Sequence, residues 1–417
     1  MSAFDRVIGY DYIKTELMQI SDMIHHPEVY AALAAKLPQG LLLSGEPGLG
    51  KTLMATALME DSGLPSFIVR RSQSEDGFLK QLAHTFDEAA EAAPSMLLLD
   101  DMDKFSSDKD DTGFTAVQSC IDKVQGKRVF VIATVSNKKR IPNSLLRCGR
   151  FDRQITVERP TRRDSEEIIC HYLGGKTPAP DISLPDLTQL LDYSTCAQLK
   201  SALNEAAIYA AYERSSITRA HLVRAVLKTV HRVPPDIYPS PEENRMPAAF
   251  HEAGHVAMLE LVAPGSTAFV TLLYSPTSDD CYGFVRRNQL IGLRETILHT
   301  LAGKAAYELL YGRVAYGTDS DIQKAAKLIR EQVKELGGSG MLGVDVTGEY
   351  RESDTSRLER ETIVRAELER YLFEAKEMLA SHCQMVQELA EALLEKQTLL
   401  HSEIQAICGK YRDVPAV

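Results

Sequence analysis

Two short stretches carry residues whose types and spacing can do chemistry. Gly45-Glu46-Pro47-Gly48-Leu49-Gly50-Lys51-Thr52 fits G-x-x-x-x-G-K-[ST] at every fixed position. Gly45, Gly48 and Gly50 let the backbone wrap so that its N–H groups, including those around Pro47 and Leu49, face phosphate. A helix beginning there adds a favourable dipole. Lys51 is expected to neutralise the β- and γ-phosphates of ATP, and Thr52 to hold Mg²⁺ through its hydroxyl. The second stretch, His251-Glu252-Ala253-Gly254-His255, reads H-E-x-x-H. On a helix, the i, i+4 spacing puts both imidazoles on one face, ready for a single Zn²⁺. Glu252 then lies beside the open position, where it can take a proton from water. A zinc hydrolase site also needs a third protein ligand, and His299, Glu308, Asp319 and Asp321 are the downstream candidates.

These groups need elements to hold them. Leu41-Leu42-Leu43 reads as a buried strand before the glycine loop, and Leu53-Met54-Ala55-Thr56-Ala57-Leu58 as a helix after it. Met96-Leu97-Leu98-Leu99 is a short apolar strand ending in Asp100-Asp101. Asp100 is placed to meet Mg²⁺ through water, and Asp101 to orient or deprotonate the attacking water. Further strands are expected at Phe67-Ile68-Val69, Val129 to Ala133 and Ile155-Thr156-Val157, with a helix from Phe78 to Ala93 ending before Pro94. Strands alternating with helices imply a parallel sheet covered on both faces.

Outside that sheet the pattern is helical. Residues 1 to 36 carry Ile13, Leu17, Ile20 and Met23 at helical spacing, and 164 to 230 read as a small helical domain. Five prolines between 231 and 247 predict a semi-extended linker. Beyond it a mostly helical domain is expected, with strands at Ala268 to Tyr274 and Gly283 to Arg286 and a long helical stretch from Ser356 to Lys396.

The 417 residues suffice for two to three domains, each with a sizeable core. A hydrophobic share of 44% and a charged share of 25% are those of a soluble globular protein. The net charge of −11 argues against a nucleic-acid binder, and no apolar run reaches the length of a membrane span. Met1-Ser2-Ala3-Phe4-Asp5-Arg6 lacks the layout of a signal peptide. Seven scattered cysteines without a C-x-x-C pair suit a reducing cytoplasm.

Leu146-Arg147-Cys148-Gly149-Arg150-Phe151-Asp152-Arg153 resembles the second region of homology of AAA+ ATPases, whose motif ends in G-R-F-D-R. By position, Arg150 and Arg153 would be arginine fingers acting on a neighbouring subunit, which implies a ring, usually a hexamer. The polar sensor falls on Asn137 or Ser136, with ungapped alignment favouring Ser136. An AAA+ module followed by H-E-A-G-H resembles the FtsH family of ATP-dependent zinc metalloproteases over nearly the whole chain. Leu301 to Glu308 is similar to that family's G-G-R-x-A-E-E helix. Gly317-Thr318-Asp319-Ser320-Asp321-Ile322 is similar to its G-A-S-N-D-[IL], whose Asp is the third ligand. The resemblance thus assigns the role to Asp321, with Asp319 the second choice and Glu308 a supporting group. It also places Gly283-Phe284-Val285 where a substrate backbone would bind by strand addition.

The expected architecture is therefore an α/β AAA+ ATPase domain over 1–160, a helical lid over 161–232, a linker over 233–246 and a mainly α-helical zinc metallopeptidase domain over 247–417. Four features depart from the family. The chain starts directly at the ATPase, as a soluble member without membrane insertion would. Arg70 to Asp76 is roughly five residues shorter than the family's pore loop and has no aromatic; Phe78, the nearest, reads as a core residue. The usual Asp-Glu is Asp100-Asp101, and the intersubunit Asp-Gly-Phe is Asp122-Lys123-Val124. The expected function is an ATP-dependent protease of unfolded or translocated polypeptide. An ATPase ring acting as gate to a zinc peptidase, and a remodelling module with a vestigial peptidase, are the alternatives.

Overall fold

The structure, a computed structural model, describes residues 2–35, 38–71, 75–106, 111–147, 149–174, 181–234, 238–239, 241–274, 284–287, 291–312, 319–335 and 354–411. Cys148, Gly283, Gly317, Thr318 and part of the Arg70 to Asp76 segment therefore lie outside the described residues. The chain divides into two compact units, Met1–Thr177 with Tyr193–Ile208, and Pro178–Asp192 with Tyr209–Val417.

The first unit is built on five parallel strands: β1 (Gly40–Ser44), β2 (Ser66–Val69), β3 (Ser95–Leu99), β4 (Val129–Val135) and β5 (Arg153–Thr156), in the order β2-β3-β4-β1-β5. Every residue of β1, β3 and β4 is buried, as central strands covered on both faces require. Leu42 shares a core with Phe78, Leu82 and Phe86 of α4 (Glu75–Glu91) and with Val117 and Ile121 of α5 (Thr112–Val124). Strand alternation turns Leu41 and Leu43 to the other face. There α3 (Lys51–Ser62) packs on β1 and β4, with α1 (Asp11–His25) packed on α3 in turn. A short α2 (Pro27–Ala32) follows α1. Phe78 is fully buried, edge-on to Phe105 with ring centroids 4.8 Å apart, so it is a core residue.

The helices α6 (Arg162–Leu173), α7 (Leu184–Leu190), α8 (Cys196–Tyr212) and α9 (Arg219–Thr229) follow. They fall in both units: α6 and most of α8 in the first, α7 and α9 in the second.

The second unit is mainly helical. It contains β6 (Tyr238–Pro239), α10 (Glu242–Val262), β7 (Thr267–Thr271), β8 (Leu273–Tyr274), β9 (Phe284–Arg287), α11 (Leu293–Tyr311) and α12 (Asp319–Glu335). The chain continues through α13 (Asp354–Ala380), α14 (Cys383–Lys396), β10 (Thr398–Leu400) and α15 (His401–Cys408). The helix α10 starts inside the stretch expected as linker and carries Pro247 within it. Pro247, the sixth residue of the helix, has no N–H for the Glu243 carbonyl, and burial of Ala248 and Ala249 just beyond holds the helix. The expected single stretch from Ser356 to Lys396 is two helices, parted where the His382 ring turns back to the Met378 carbonyl at 2.9 Å.

Small residues set how close α10 and α11 lie. Ala253 and Ala257 of α10 pack in one core with Ala302, Ala305 and Ala306 of α11. A Cβ on Gly254 would stand 2.5 Å from Ala306 Cβ and 2.6 Å from the Ala302 carbonyl oxygen. Only glycine permits that approach. The strands form a three-stranded antiparallel sheet in the order β10-β7-β9, with β9 at an edge.

Candidate functional site

The glycine loop joins β1 to α3 with Gly48 and Gly50 at φ 85° and 89°, a region open to glycine. Leu49 is buried, whereas Pro47 is exposed. Lys51 Nζ turns back into the loop and donates to the carbonyls of Gly45 at 2.7 Å and Glu46 at 2.8 Å. Burial pushes its pKa down, against the pull of Asp101, Asp103 and Asp100. Thr52 Oγ1 donates to Asp100 Oδ1 at 2.7 Å, and Thr134 Oγ1 donates to the same oxygen at 2.8 Å. Arg70 Nε donates to Asp100 Oδ2 at 2.9 Å. Burial would push the Asp100 carboxyl up; these three donors outweigh it and hold the group below the usual carboxylate range. A hydroxyl and an ionised carboxylate meeting beside a phosphate-binding loop are a donor set that suits Mg²⁺.

Asp101 has φ 54°; its backbone N–H reaches Thr134 Oγ1 at 2.8 Å and its carboxylate pairs with Lys104 at 2.7 Å. Of the two sensor candidates, Ser136 Oγ lies 3.5 Å from Lys51 Nζ. The Asn137 side-chain oxygen instead accepts from the Lys139 N–H at 3.1 Å, capping a short turn. The structure therefore brings Ser136, and not Asn137, to the phosphate loop. The buried Asp103, which belongs to no recognisable motif, accepts from the backbone N–H of both Ser136 and Asn137. Arg150 makes a two-pronged pair with Asp122, at 2.9 and 2.8 Å, and Arg153 contacts Glu16 at 2.9 Å.

The second constellation gathers on three helices. The ring nitrogens Nε2 of His251 and His255, both on α10, lie 3.1 Å apart. Asp321 Oδ2, from the first turn of α12, stands 3.2 Å from the first and 3.3 Å from the second. Three ligand atoms converging this way, two imidazole nitrogens and a carboxylate oxygen, form a donor set that fits Zn²⁺. From α11, the His299 carbonyl accepts from His255 Nδ1 at 2.7 Å, which fixes the ring so that Nε2 faces Asp321 and His251. In return, His299 Nδ1 lies 3.1 Å from the His255 carbonyl. Burial would lower the pKa of His255, but the hydrogen bond and charge of Asp321 outweigh it and hold it at about 9. The same pairing keeps the Asp321 carboxyl far below the usual range despite its burial.

Glu252 is buried, with Oε1 4.0 Å from His251 Nε2. Of the other ligand candidates, Asp319 is exposed, and the Glu308 carboxylate is taken by Lys304 and Lys376. Gly303 of α11 presses on the two histidines, since a Cβ there would stand 2.5 Å from both His251 Cε1 and His255 Nε2.

Comparisons with known proteins follow the same two-part division. The family model described as ATPase family associated with various cellular activities (AAA) matches residues 41–159, and that of Peptidase family M41 matches 239–407. A protein named ATP-dependent zinc metalloprotease FtsH 1 from Symbiobacterium thermophilum is 30% identical, over 96% of this chain and 71% of that protein. Its namesake from Thermomicrobium roseum is 29% identical over 99% of this chain and 69% of that protein. Among the described residues no helix is long and apolar enough to cross a membrane. With both family models matched and 30% identity to such a relative along nearly the full length, the chain belongs to the FtsH family of ATP-dependent zinc metalloproteases.

Proposed function

We propose that this chain hydrolyses peptide bonds in unfolded or translocated polypeptide, with ATP hydrolysis driving or gating substrate entry. The convergence of His251, His255 and Asp321 in a chain that also carries a complete phosphate loop supports this reading. These three residues would hold Zn²⁺, which when bound supplies Lewis acidity toward a peptide carbonyl and acidifies water. Glu252 takes the proton of the attacking water and returns it to the departing amine. His299 fixes the orientation of His255 through its carbonyl. Among the described residues β9 is an edge strand, and a substrate backbone would add to it as a further strand.

At the nucleotide, Gly45 to Lys51 cradle the phosphates, Thr52 and Asp100 hold Mg²⁺, and Asp101 orients water. Ser136 serves as the polar sensor. Arg150 and Arg153 act on a neighbouring subunit in a homo-oligomeric ring, a hexamer in our reading, located in the cytoplasm. The scattered free cysteines support that compartment. A second reading, the ring as gate and not as motor, is favoured by one observation. Phe78 is buried, and the segment from Arg70 to Asp76 contains no aromatic to grip polypeptide.

Glu252→Gln tests the protease reading. It should cut casein degradation on the order of 10²- to 10⁴-fold, the usual share of a general base, with zinc content unchanged. Undiminished cleavage would sink the assignment. Degradation of a folded against an unfolded reporter, with and without ATP, separates motor from gate: ATP dependence confined to the folded reporter favours the motor.

A further inference from the structure

The parallel register that pairs Val69 of β2 with Leu99 of β3 places the next residue of each strand side by side, and these are Arg70 and Asp100. The Asp100 N–H donates to the Val69 carbonyl at 3.0 Å, so the two backbones are tied at that point. Asp100 divides its carboxylate: Oδ1 accepts from Thr52 and Thr134, while Oδ2 accepts from Arg70 Nε at 2.9 Å. The neighbouring Arg71 turns elsewhere, donating to the Lys104 carbonyl at 2.9 Å and lying over the Phe78 ring. Among the described residues, the side-chain hydrogen bond and ion pair of Arg70 is that from Nε to Asp100, and its side chain is 61% exposed. A full positive charge thus sits on the far oxygen of the carboxylate whose near oxygen meets the Mg²⁺-binding threonine.

We propose that Arg70 is a built-in cation of the nucleotide site, which neutralises Asp100 when no divalent ion is present and competes with Mg²⁺ for that carboxylate. By neutralising Asp100, which lies beside the phosphate loop through Thr52, the Arg70 charge supports nucleotide binding without Mg²⁺ and weakens the hold on Mg²⁺ itself. Both effects act in one direction on a single ratio, the nucleotide affinity with Mg²⁺ divided by the affinity without it. Arg70 holds that ratio down. The inference rests on the nucleotide-site reading above.

The test is equilibrium binding of a fluorescent non-hydrolysable ATP analogue to the full chain, in excess Mg²⁺ and in excess EDTA. For Arg70→Gln the affinity ratio should rise at least fivefold, with weaker binding in EDTA and a lower half-saturating Mg²⁺ concentration. Arg70→Lys, which keeps the charge, should stay within about twofold of wild type, a span of about 0.4 kcal/mol. A ratio unchanged in Arg70→Gln, or equal weakening in both conditions as a structural defect would give, overturns the proposal. Wild-type chain that binds the analogue in neither condition overturns the nucleotide-site reading and the inference with it.

Discussion

Replacing Gly303 with alanine puts the metal site under a test that the fold itself should survive. Gly303 lies on α11 directly against the two histidines of α10, and an added Cβ would stand 2.5 Å from His251 Cε1 and from His255 Nε2. Carbon contacts want about 3.5 Å or more, so the rings must yield by about 1 Å. His255 cannot give freely, because its Nδ1 is held by the His299 carbonyl at 2.7 Å. Nor can α10 and α11 part easily, since Gly254 already packs on Ala302 and Ala306. A metal site tolerates displacements of only about 0.2 Å. Zinc affinity should therefore fall by at least the 10- to 100-fold, roughly, that follows when a ligand's supporting contacts are disturbed.

Global stability should change much less. Alanine gains about 1 kcal/mol over glycine within a helix, which offsets part of an overpacking cost of about 1–3 kcal/mol. The assay is zinc content after equilibration against chelators of graded affinity, beside thermal unfolding and casein degradation. A Gly303→Ala chain that keeps zinc within about threefold of wild-type affinity would refute the close-approach argument. A chain that loses zinc only because it unfolds would refute the claim that the defect is local.

Two further perturbations probe other parts of the molecule. Arg150 is held by Asp122 within its own chain, and an arginine finger acting in trans must leave that pair. Adding Arg150→Ala subunits to wild type should lower ATPase activity per wild-type subunit, and strictly additive activities would contradict a role across subunits. Glu403 accepts from Arg219, Lys396 and the Leu400 N–H; burial raises its pKa, but these donors outweigh it and bring it down to about 2. A depressed carboxylate contributes stability that is complete above its unfolded pKa and lost as pH falls through the folded one. Glu403→Gln should thus cost about 3 kcal/mol at neutral pH, read as faster amide exchange in α15. The gap from wild type should close between about pH 4.5 and 2, and a gap that does not change with pH would contradict the account.

Local chemistry was legible in the sequence because it lies within one element or at one junction. The phosphate loop occupies eight consecutive residues between a strand and a helix, and H-E-x-x-H spans a single helical turn. Apolar runs such as Leu41 to Leu43 and Met96 to Leu99 became fully buried strands because a parallel sheet covered on both faces needs no alternation. Strand ends were less legible. The fifth strand was expected at Ile155 to Val157 and spans Arg153–Thr156, and β10 left no signal in its three residues. The turn at His382 and the helix through Pro247 also escaped, since burial of neighbouring residues outweighed local propensity.

By itself, the sequence determined the two candidate sites and the parallel-sheet class, because spacing along a strand, turn or helix follows from backbone geometry. Partners brought from distant elements were decided only by tertiary packing. Residue types alone left four downstream candidates for a third ligand and the family resemblance pointed to Asp321; packing of α12 is what brings Asp321, and not Asp319, to the histidine pair. His299 stood among those candidates, yet it acts on His255 through its backbone carbonyl, a group that carries no residue signature. Asn137 and Ser136 were equally polar neighbours until one oxygen was used to cap a turn and the other pointed at Lys51. Arg70 read only as part of a shortened loop, and strand register alone set its charge against Asp100. In each case the deciding quantity is a distance between residues far apart in the chain, and that distance exists only once the cores around the sheet and between the helices are packed.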